Sequence, residues 1–274
     1  MIKMVQLTDD LIRDAFLKTG FDEKYFPVYE EKLKFAYNEL QEEEPDDDET
    51  TEEENNVRRG IRITNDYISF YVEEFEKGHS ERWAATFADT RCSEFNELYW
   101  VQEAYDSIDD NDQKEKDLDI HINSLSDDII FRERYKSLFH DKDFFPQEKA
   151  AEYCEIYHRC IKAGKSALYA HAFANEVNNY IHSEDGYSEL YVDIHAEAVE
   201  QAIEHGMDED RAYCFGLCCA ETYANGYWLP GFTDYFDYYR EDWQLDFFLY
   251  LYRKYHKHDM PEDELYEIKR ELSK

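Results

Sequence analysis

Four glycines recur at nearly even spacing in the second half of the chain and constrain its fold more than any other feature. Gly164, Gly186, Gly206 and Gly226 are separated by 22, 20 and 20 residues, about one helix and one turn each. Periods of 20 to 50 residues are typical of stacked repeat units. The spacing therefore predicts an array in which a glycine ends one helix and a polar cap begins the next.

An earlier glycine, Gly78, shares a downstream signature with Gly164 and Gly206. The positions six, nine and ten residues after each glycine hold an alanine, a phenylalanine and a small residue: Ala84, Phe87 and Ala88; Ala170, Phe173 and Ala174; Ala212, Phe215 and Gly216. The 42-residue interval between Gly164 and Gly206 indicates a two-helix unit, although nothing near residue 121 matches the signature. We therefore predict an all-α fold, either an α-solenoid-like helical-repeat array or two packed helical bundles.

The pattern of apolar and charged residues divides the chain into four segments. We predict an N-terminal helical hairpin at 1–41, an acidic loop or linker at 42–63, a helical region at 64–140 and a C-terminal helical repeat region at 141–274. Ten acids lie between residues 42 and 54 with no apolar residue among them, which favours a solvated segment.

Three finer predictions concern the first half of the chain. Residues 57–63 are compatible with a short extended strand, and Asn65 or Asp66 with the cap of the next helix. Ser80 is expected to cap one long helix from Glu81 to about residue 108. Residues 109–119 are so rich in charge that they predict a second linker.

The acidity of the chain narrows its expected partners. The 65 acidic and 30 basic residues give a formal net charge of −35. This charge disfavours direct nucleic-acid binding and attachment to acidic membranes, and it would attract a basic protein or peptide. The six cysteines fall within helical patterns and no apolar stretch approaches the length of a membrane span, so we expect a cytoplasmic protein of undetermined oligomeric state.

Aromatic residues near the C-terminal end supply the candidate binding surface. Tyrosine and tryptophan offer amphipathic contact area, and the surfaces of helical arrays commonly bind extended partners. The alternative is that these rings fill the core between helices. The candidate residues are Tyr227, Trp228, Tyr235, Tyr238, Tyr239 and Trp243.

Two pairs of residues four apart offer a weaker metal hypothesis. Cys154 and His158 share one helix face, as do Cys214 and Cys218 on another helix. If the two faces met, their four soft ligands would suit zinc, whereas small apolar helices also use cysteine simply for packing. No H-E-x-x-H, G-x-S-x-G, C-x-x-C or G-x-G-x-x-G pattern occurs, so no catalytic residue or cofactor is predicted.

Three functions remain open on these residues. The favoured one is a non-enzymatic interaction protein that binds a protein or peptide, possibly basic, through a helical-repeat surface. The second is an acidic inhibitor that mimics DNA or neutralises a toxin or nuclease. The third is a metal-dependent helical enzyme that uses the Cys154 and His158 helix.

Overall fold

The regular structure is helical throughout the described part of the chain. The computed structural model describes residues 7–42, 52–93, 97–141, 146–180, 188–224, 242–256 and 260–263, with Tyr266 and Arg270. These residues include twelve α-helices and one 3-10 turn, and they contain no strand. The predicted all-α class is confirmed.

The chain divides into two compact units, Met1–Asp127 and Asp128–Lys274. Within each unit, every helix packs against the next one in sequence, which is compatible with a helical repeat or a bundle. The first unit contains α1 (Asp9–Thr19), a 3-10 turn (Glu23–Tyr25), α2 (Phe26–Glu42), α3 (Glu52–Glu76), α4 (Glu81–Ser93), α5 (Glu97–Asp106) and α6 (Asn111–Leu125). The second contains α7 (Ile129–Phe139), α8 (Pro146–Lys162), α9 (Ala167–Tyr180), α10 (Glu189–Glu204), α11 (Glu209–Ala224) and α12 (Asp242–His256).

Three of the repeated glycines end helices as predicted. Gly78, Gly164 and Gly206 have φ of 100°, 82° and 88°, a left-handed conformation that residues with a Cβ rarely adopt. In each turn the N–H of the following residue donates to a carbonyl five residues back, which satisfies a group left over at the helix end. These bonds are His79 to Glu74 (3.4 Å), Lys165 to Cys160 (3.1 Å) and Met207 to Ala202 (3.0 Å).

A polar cap starts the second helix of each of these hairpins. The Ser80, Ser166 and Asp208 side chains accept bonds from backbone N–H groups three residues further on, at 3.3, 3.1 and 3.1 Å. A side-chain oxygen at this position satisfies one of the free donors of the first helical turn. Glycine and cap together therefore define the hairpins α3–α4, α8–α9 and α10–α11.

The signature after each glycine forms the core of its hairpin. The alanines six residues on are fully buried, and the phenylalanines nine residues on are 4–6% exposed. Eleven residues before the glycines, Tyr67, Tyr153 and His195 are buried in the first helix of each hairpin. The repeat therefore includes buried positions on both helices.

The third hairpin shows why a small residue is required ten positions after the glycine. A Cβ added at Gly216 on α11 would lie 2.7 Å from Val199 Cγ2 and 2.8 Å from His195 Cδ2 on α10. Real Cβ atoms do not approach other atoms so closely, so the backbone of α11 lies directly against α10 side chains. Any larger residue would force the two helices apart.

A buried polar network joins α3, α4 and α6 in the first unit. Asp117 of α6 accepts bonds from the Ser80 backbone N–H (2.9 Å) and hydroxyl (2.6 Å). His79 stacks on Trp83 at 4.8 Å, and its ring nitrogens lie 3.3 Å from a Glu74 oxygen and 3.5 Å from an Asp117 oxygen. Burial lowers the pKa of His79, against the opposing effect of these two carboxylates.

Two segments that were predicted to be loops are helical. Residues 52–63 are the first half of α3, and residues 111–119 belong to α6, so the expected loop up to 63, the strand at 57–63 and the linker at 109–119 are wrong there. Asn65 and Asp66 lie inside α3 and do not cap a helix. The buried faces of these helices include the polar residues Asn56, Thr64 and Asp117, which conceal the apolar periodicity.

The predicted long helix from Glu81 to about residue 108 is two helices. α5 packs back on α4, and the Phe87 and Trp100 ring centroids lie 5.9 Å apart. In one continuous helix these residues would be about 20 Å apart, at about 1.5 Å per residue. The expected division after residue 140 also differs from the observed one, because α7 packs on α8.

Candidate functional site

One face of α10 carries a carboxylate at nearly every turn. Spacings of three and four residues place these side chains on the same side of the helix, opposite the buried face that includes Val192, His195 and Val199. The acidic residues are Glu189, Asp193, Glu197, Glu200 and Glu204. We call this set the acidic face of α10.

The helix α12 lies antiparallel on this acidic face. Near the end of α12, the Tyr255 hydroxyl donates to Asp193 Oδ2 (2.8 Å) and Lys254 pairs with Glu197. Near its start, the Trp243 ring stacks on His205, with ring centroids 4.2 Å apart and an interplanar angle of 12°. The acidic face is thus an interface for an aromatic, lysine-bearing helix of the same chain.

Asp193 is the central polar contact of this interface. Its carboxylate accepts bonds from the Tyr169 and Tyr255 hydroxyls and lies 3.9 Å from Lys165 Nζ and 3.8 Å from Lys254 Nζ. Burial alone would raise the pKa of Asp193, but the two hydroxyls and two ammonium groups outweigh it and hold the pKa below its usual value. The carboxylate therefore stays ionised and ties α9, α10 and α12 together.

A cavity of about 490 Å³ opens between α10 and the first half of α12. We call it the acid–aromatic cavity, since three carboxylates and three aromatic rings dominate its wall. Its volume falls in the range of about 300 to 1,000 Å³ that is usual for ligand sites. The lining residues are Glu197, Glu200, Gln201, His205, Trp243, Asp246, Phe247 and Tyr250.

The chemistry of this wall suits a cation. Carboxylates attract a positive group, and aromatic ring faces add a further attraction at short range. Glu200 accepts a bond from the Ser166 hydroxyl, and Phe247 and Tyr250 stack with ring centroids 5.8 Å apart. The acidic and the aromatic side chains of the wall are therefore both held in place by neighbouring side chains.

A second cavity, of about 430 Å³, lies at the other end of the acidic face. It includes both signs of charge, with Arg159 and Lys165 facing Glu189 and Asp193 around the rings of Tyr169 and Phe173. The Lys165 ammonium lies over the Tyr169 ring, 3.9 Å from its centroid. This balanced wall gives less preference for a cation than the acid–aromatic cavity does.

Only one of the aromatic residues predicted from the sequence can be assessed. Trp243 lines the acid–aromatic cavity. Tyr227, Trp228, Tyr235, Tyr238 and Tyr239 lie outside the described residues. Their part in binding stays a prediction.

The four candidate metal ligands are not brought together. Cys154 Sγ and His158 Nδ1 lie 3.6 Å apart on α8, while Cys214 is exposed and Cys218 is buried on α11. Among the residues that the structure describes, no group of three or more histidine, cysteine, aspartate or glutamate side chains could hold a metal ion. The geometry therefore gives the zinc hypothesis no support.

Most residues of the cavity were missed by the sequence prediction. The acidic positions of α10 recur at spacings of 4, 4, 3 and 4, but in so acidic a chain this spacing does not distinguish them from other charged positions. On α12 the matching signal is Trp243, Phe247, Tyr250 and Lys254, at spacings of 4, 3 and 4. Two complementary helix faces were thus visible in the sequence, but their pairing was not.

Comparisons with protein-family models, curated proteins and solved structures find no match to this chain. No helix within the described ranges combines the length and the apolar character needed to cross a membrane.

Proposed function

We propose that this protein binds a basic protein or peptide and that the acid–aromatic cavity receives its cationic side chains. The observation that supports the proposal is the wall of that cavity, where Glu200 and Asp246 stand beside three aromatic rings and Glu197 is paired with Lys254. The net charge of −35 adds a long-range attraction for such a partner.

The test is an isothermal titration of the full chain with an unstructured basic peptide at two salt concentrations. We expect binding that weakens at high salt, because screening reduces the attraction between partly exposed charges. The variant Glu200→Gln with Asp246→Asn removes two carboxylates from the cavity while keeping the side-chain shapes. It should weaken binding by about 2 kcal/mol, roughly thirtyfold.

A matched control distinguishes binding in the cavity from attraction by the overall charge of the chain. Glu133→Gln with Glu155→Gln makes the same change in net charge at exposed positions on α7 and α8 of the same unit. The control should bind within about twofold of the wild type, since exposed charges away from the site contribute little. Equal weakening by both double variants would show that the peptide binds the overall charge and not the cavity, which would refute the proposal.

The two alternative functions have less support. A DNA mimic needs carboxylates exposed in a phosphate-like array, but Asp193 and Glu197 on the acidic face of α10 already bind tyrosine hydroxyls and Lys254. A metal-dependent enzyme needs a ligand cluster, and the part of the chain that is described offers none. We therefore favour the basic protein or peptide as the partner.

A further inference from the structure

We infer that the acid–aromatic cavity binds the ammonium group of a lysine side chain in its peptide partner, in preference to a guanidinium group. This inference rests on the proposed function and specifies the side chain that enters the cavity. It follows from a contact that this chain repeats with its own lysines, and from the parts of that contact that the wall of the cavity provides.

The repeated contact joins a lysine, a tyrosine and a carboxylate. In the described part of the chain, five lysine ammonium groups lie over a tyrosine ring, at 3.9 to 5.0 Å from its centroid. Each of these ammonium groups also lies 3.9 Å or less from a carboxylate oxygen. The pairs are Lys24 with Tyr25, Lys32 with Tyr67, Lys114 with Tyr105, Lys165 with Tyr169 and Lys254 with Tyr255.

In three of these pairs, one carboxylate contacts both the lysine and the tyrosine. The tyrosine hydroxyl donates to the carboxylate that pairs with the ammonium above the ring. A hydroxyl that donates to a carboxylate makes its ring more electron-rich, which strengthens the attraction between the ring face and a cation. The three sets are Lys24, Tyr25 and Glu76; Lys165, Tyr169 and Asp193; and Lys254, Tyr255 and Asp193.

The wall of the cavity provides the tyrosine and the carboxylates of the same contact. Tyr250, whose side chain is 50% exposed, belongs to none of the five pairs and stands in the wall with Glu200 and Asp246. Glu197 also lines the cavity, and while its Oε1 pairs with Lys254, its Oε2 is buried with no hydrogen-bond partner among the described residues. A buried carboxylate oxygen requires a donor. An ammonium has three rotatable N–H donors, so it can bond to carboxylates of both helices at once.

The other two rings of the wall offer little surface to a guanidinium group. The Trp243 ring is stacked on His205, with ring centroids 4.2 Å apart. Phe247 is only 9% exposed and is stacked on Tyr250. A guanidinium is planar and gains from stacking flat on a ring, whereas an ammonium is compact and needs only the one exposed face of Tyr250. The guanidinium groups of this chain lie over rings of the other two types, Arg13 over Phe26 and Arg91 over Phe70, Phe87 and Trp100.

The experiment compares three nine-residue peptides with blocked ends that differ only at three positions, which hold lysine, arginine or the uncharged N-acetyl-lysine. Each peptide is titrated into the full chain by isothermal calorimetry at one ionic strength. We expect the lysine peptide to bind about fivefold more tightly than the arginine peptide. The acetyl-lysine peptide should not bind measurably, because it lacks the charge and two of the three donors.

Three tyrosine variants test whether the ring of Tyr250 is the source of the preference. Tyr250→Leu removes the ring but keeps an apolar side chain, and it should weaken lysine-peptide binding about fivefold and arginine-peptide binding by less than about twofold. Tyr250→Phe keeps the ring and should bind the lysine peptide within about twofold of the wild type. The control Tyr99→Leu removes a similarly exposed ring in the first unit and should change neither affinity. Far-UV circular dichroism checks that each variant is folded.

The outcomes distinguish the inference from the function on which it rests. Binding of the arginine peptide as tightly as the lysine peptide, or a folded Tyr250→Leu variant that keeps the full lysine preference, would refute the inference and leave the proposed function intact. Absence of binding by both cationic peptides would refute the proposed function as well.

Discussion

At the scale of single residues, the burial of His195 makes the folding stability of the second unit depend on pH. Its side chain is fully buried, with the Tyr213 ring centroid at 5.4 Å and a Glu176 carboxylate oxygen 3.9 Å from Nε2. Burial lowers the pKa of His195 to about 4, although the Tyr213 backbone opposes the shift. Burial also raises the pKa of Glu176, while a bond to Asn179 lowers it. His195 is therefore neutral in the folded chain near neutral pH.

The lowered pKa of His195 predicts a loss of stability in acid. The unfolded chain takes up a proton at a pKa of about 6.5 and the folded chain only at about 4, so the stability present above 6.5 is lost as pH falls from 6.5 to 4. Between pH 7.5 and 5 this loss amounts to about 2 kcal/mol. The raised pKa of Glu176 has the opposite effect, because the stability that Glu176 contributes is present at low pH and is lost as pH rises.

The variant His195→Gln isolates this effect, because glutamine does not titrate. Urea unfolding at the two pH values should show a decrease in stability that is about 2 kcal/mol smaller in the variant than in the wild type. Comparing the two decreases cancels any constant cost of the substitution. The same decrease in both proteins would mean that His195 titrates in the folded chain as it does in the unfolded chain.

At the scale of helices, two helix-interior glycines are predicted to respond in opposite ways to alanine. Gly216→Ala places a Cβ within 3.0 Å of Val199 and His195 atoms, so α10 and α11 must separate. We expect a loss of about 1–3 kcal/mol despite the better helix propensity of alanine. The matched change Gly60→Ala meets its nearest atom, Leu33 Cδ1, at 3.4 Å and should stabilise by about 0.5–1 kcal/mol.

Far-UV circular dichroism across a urea gradient measures both variants against the wild type. The prediction concerns only whether each variant raises or lowers the free energy of unfolding relative to the wild type, so it does not depend on the absolute stability of either unit. Stabilisation of the chain by Gly216→Ala would show that α10 and α11 are not in backbone contact at this point.

The helices that could be predicted from the sequence are those with their own start and stop signals. Gly164 and Gly206 with the caps Ser166 and Asp208 define turns through local chemistry, so their positions follow from a few neighbouring residues. The first half of α3 and most of α6 were missed because their buried faces depend on distant partners. Asn56 donates to the Leu40 carbonyl at 3.1 Å, and Asp117 accepts from Ser80, and neither bond leaves an apolar pattern in the sequence.

At the scale of the whole molecule, the charge of −35 has two distinct consequences. Ten acids between residues 42 and 54 have no apolar residue among them in the sequence, and on the proposed function they would attract a basic partner diffusely. The carboxylates of α10 and α12 stand beside aromatic rings in a cavity, and on the proposed function they would attract a cationic side chain locally. Composition predicts the first consequence. The second needs the pairing of two helices that are separated in sequence by residues 205–241, which the periodicity of each helix alone does not reveal.

The most direct test of the account is photo-crosslinking of the full chain with a basic peptide that carries a benzophenone, followed by mass-spectrometric mapping of the adducts. We predict adducts on residues 197–205 and 243–250, and their loss in the Glu200→Gln, Asp246→Asn variant. Adducts concentrated on the acidic segment 42–54, or spread over acidic surfaces of both units and unchanged in the variant, would contradict the assignment of binding to the acid–aromatic cavity.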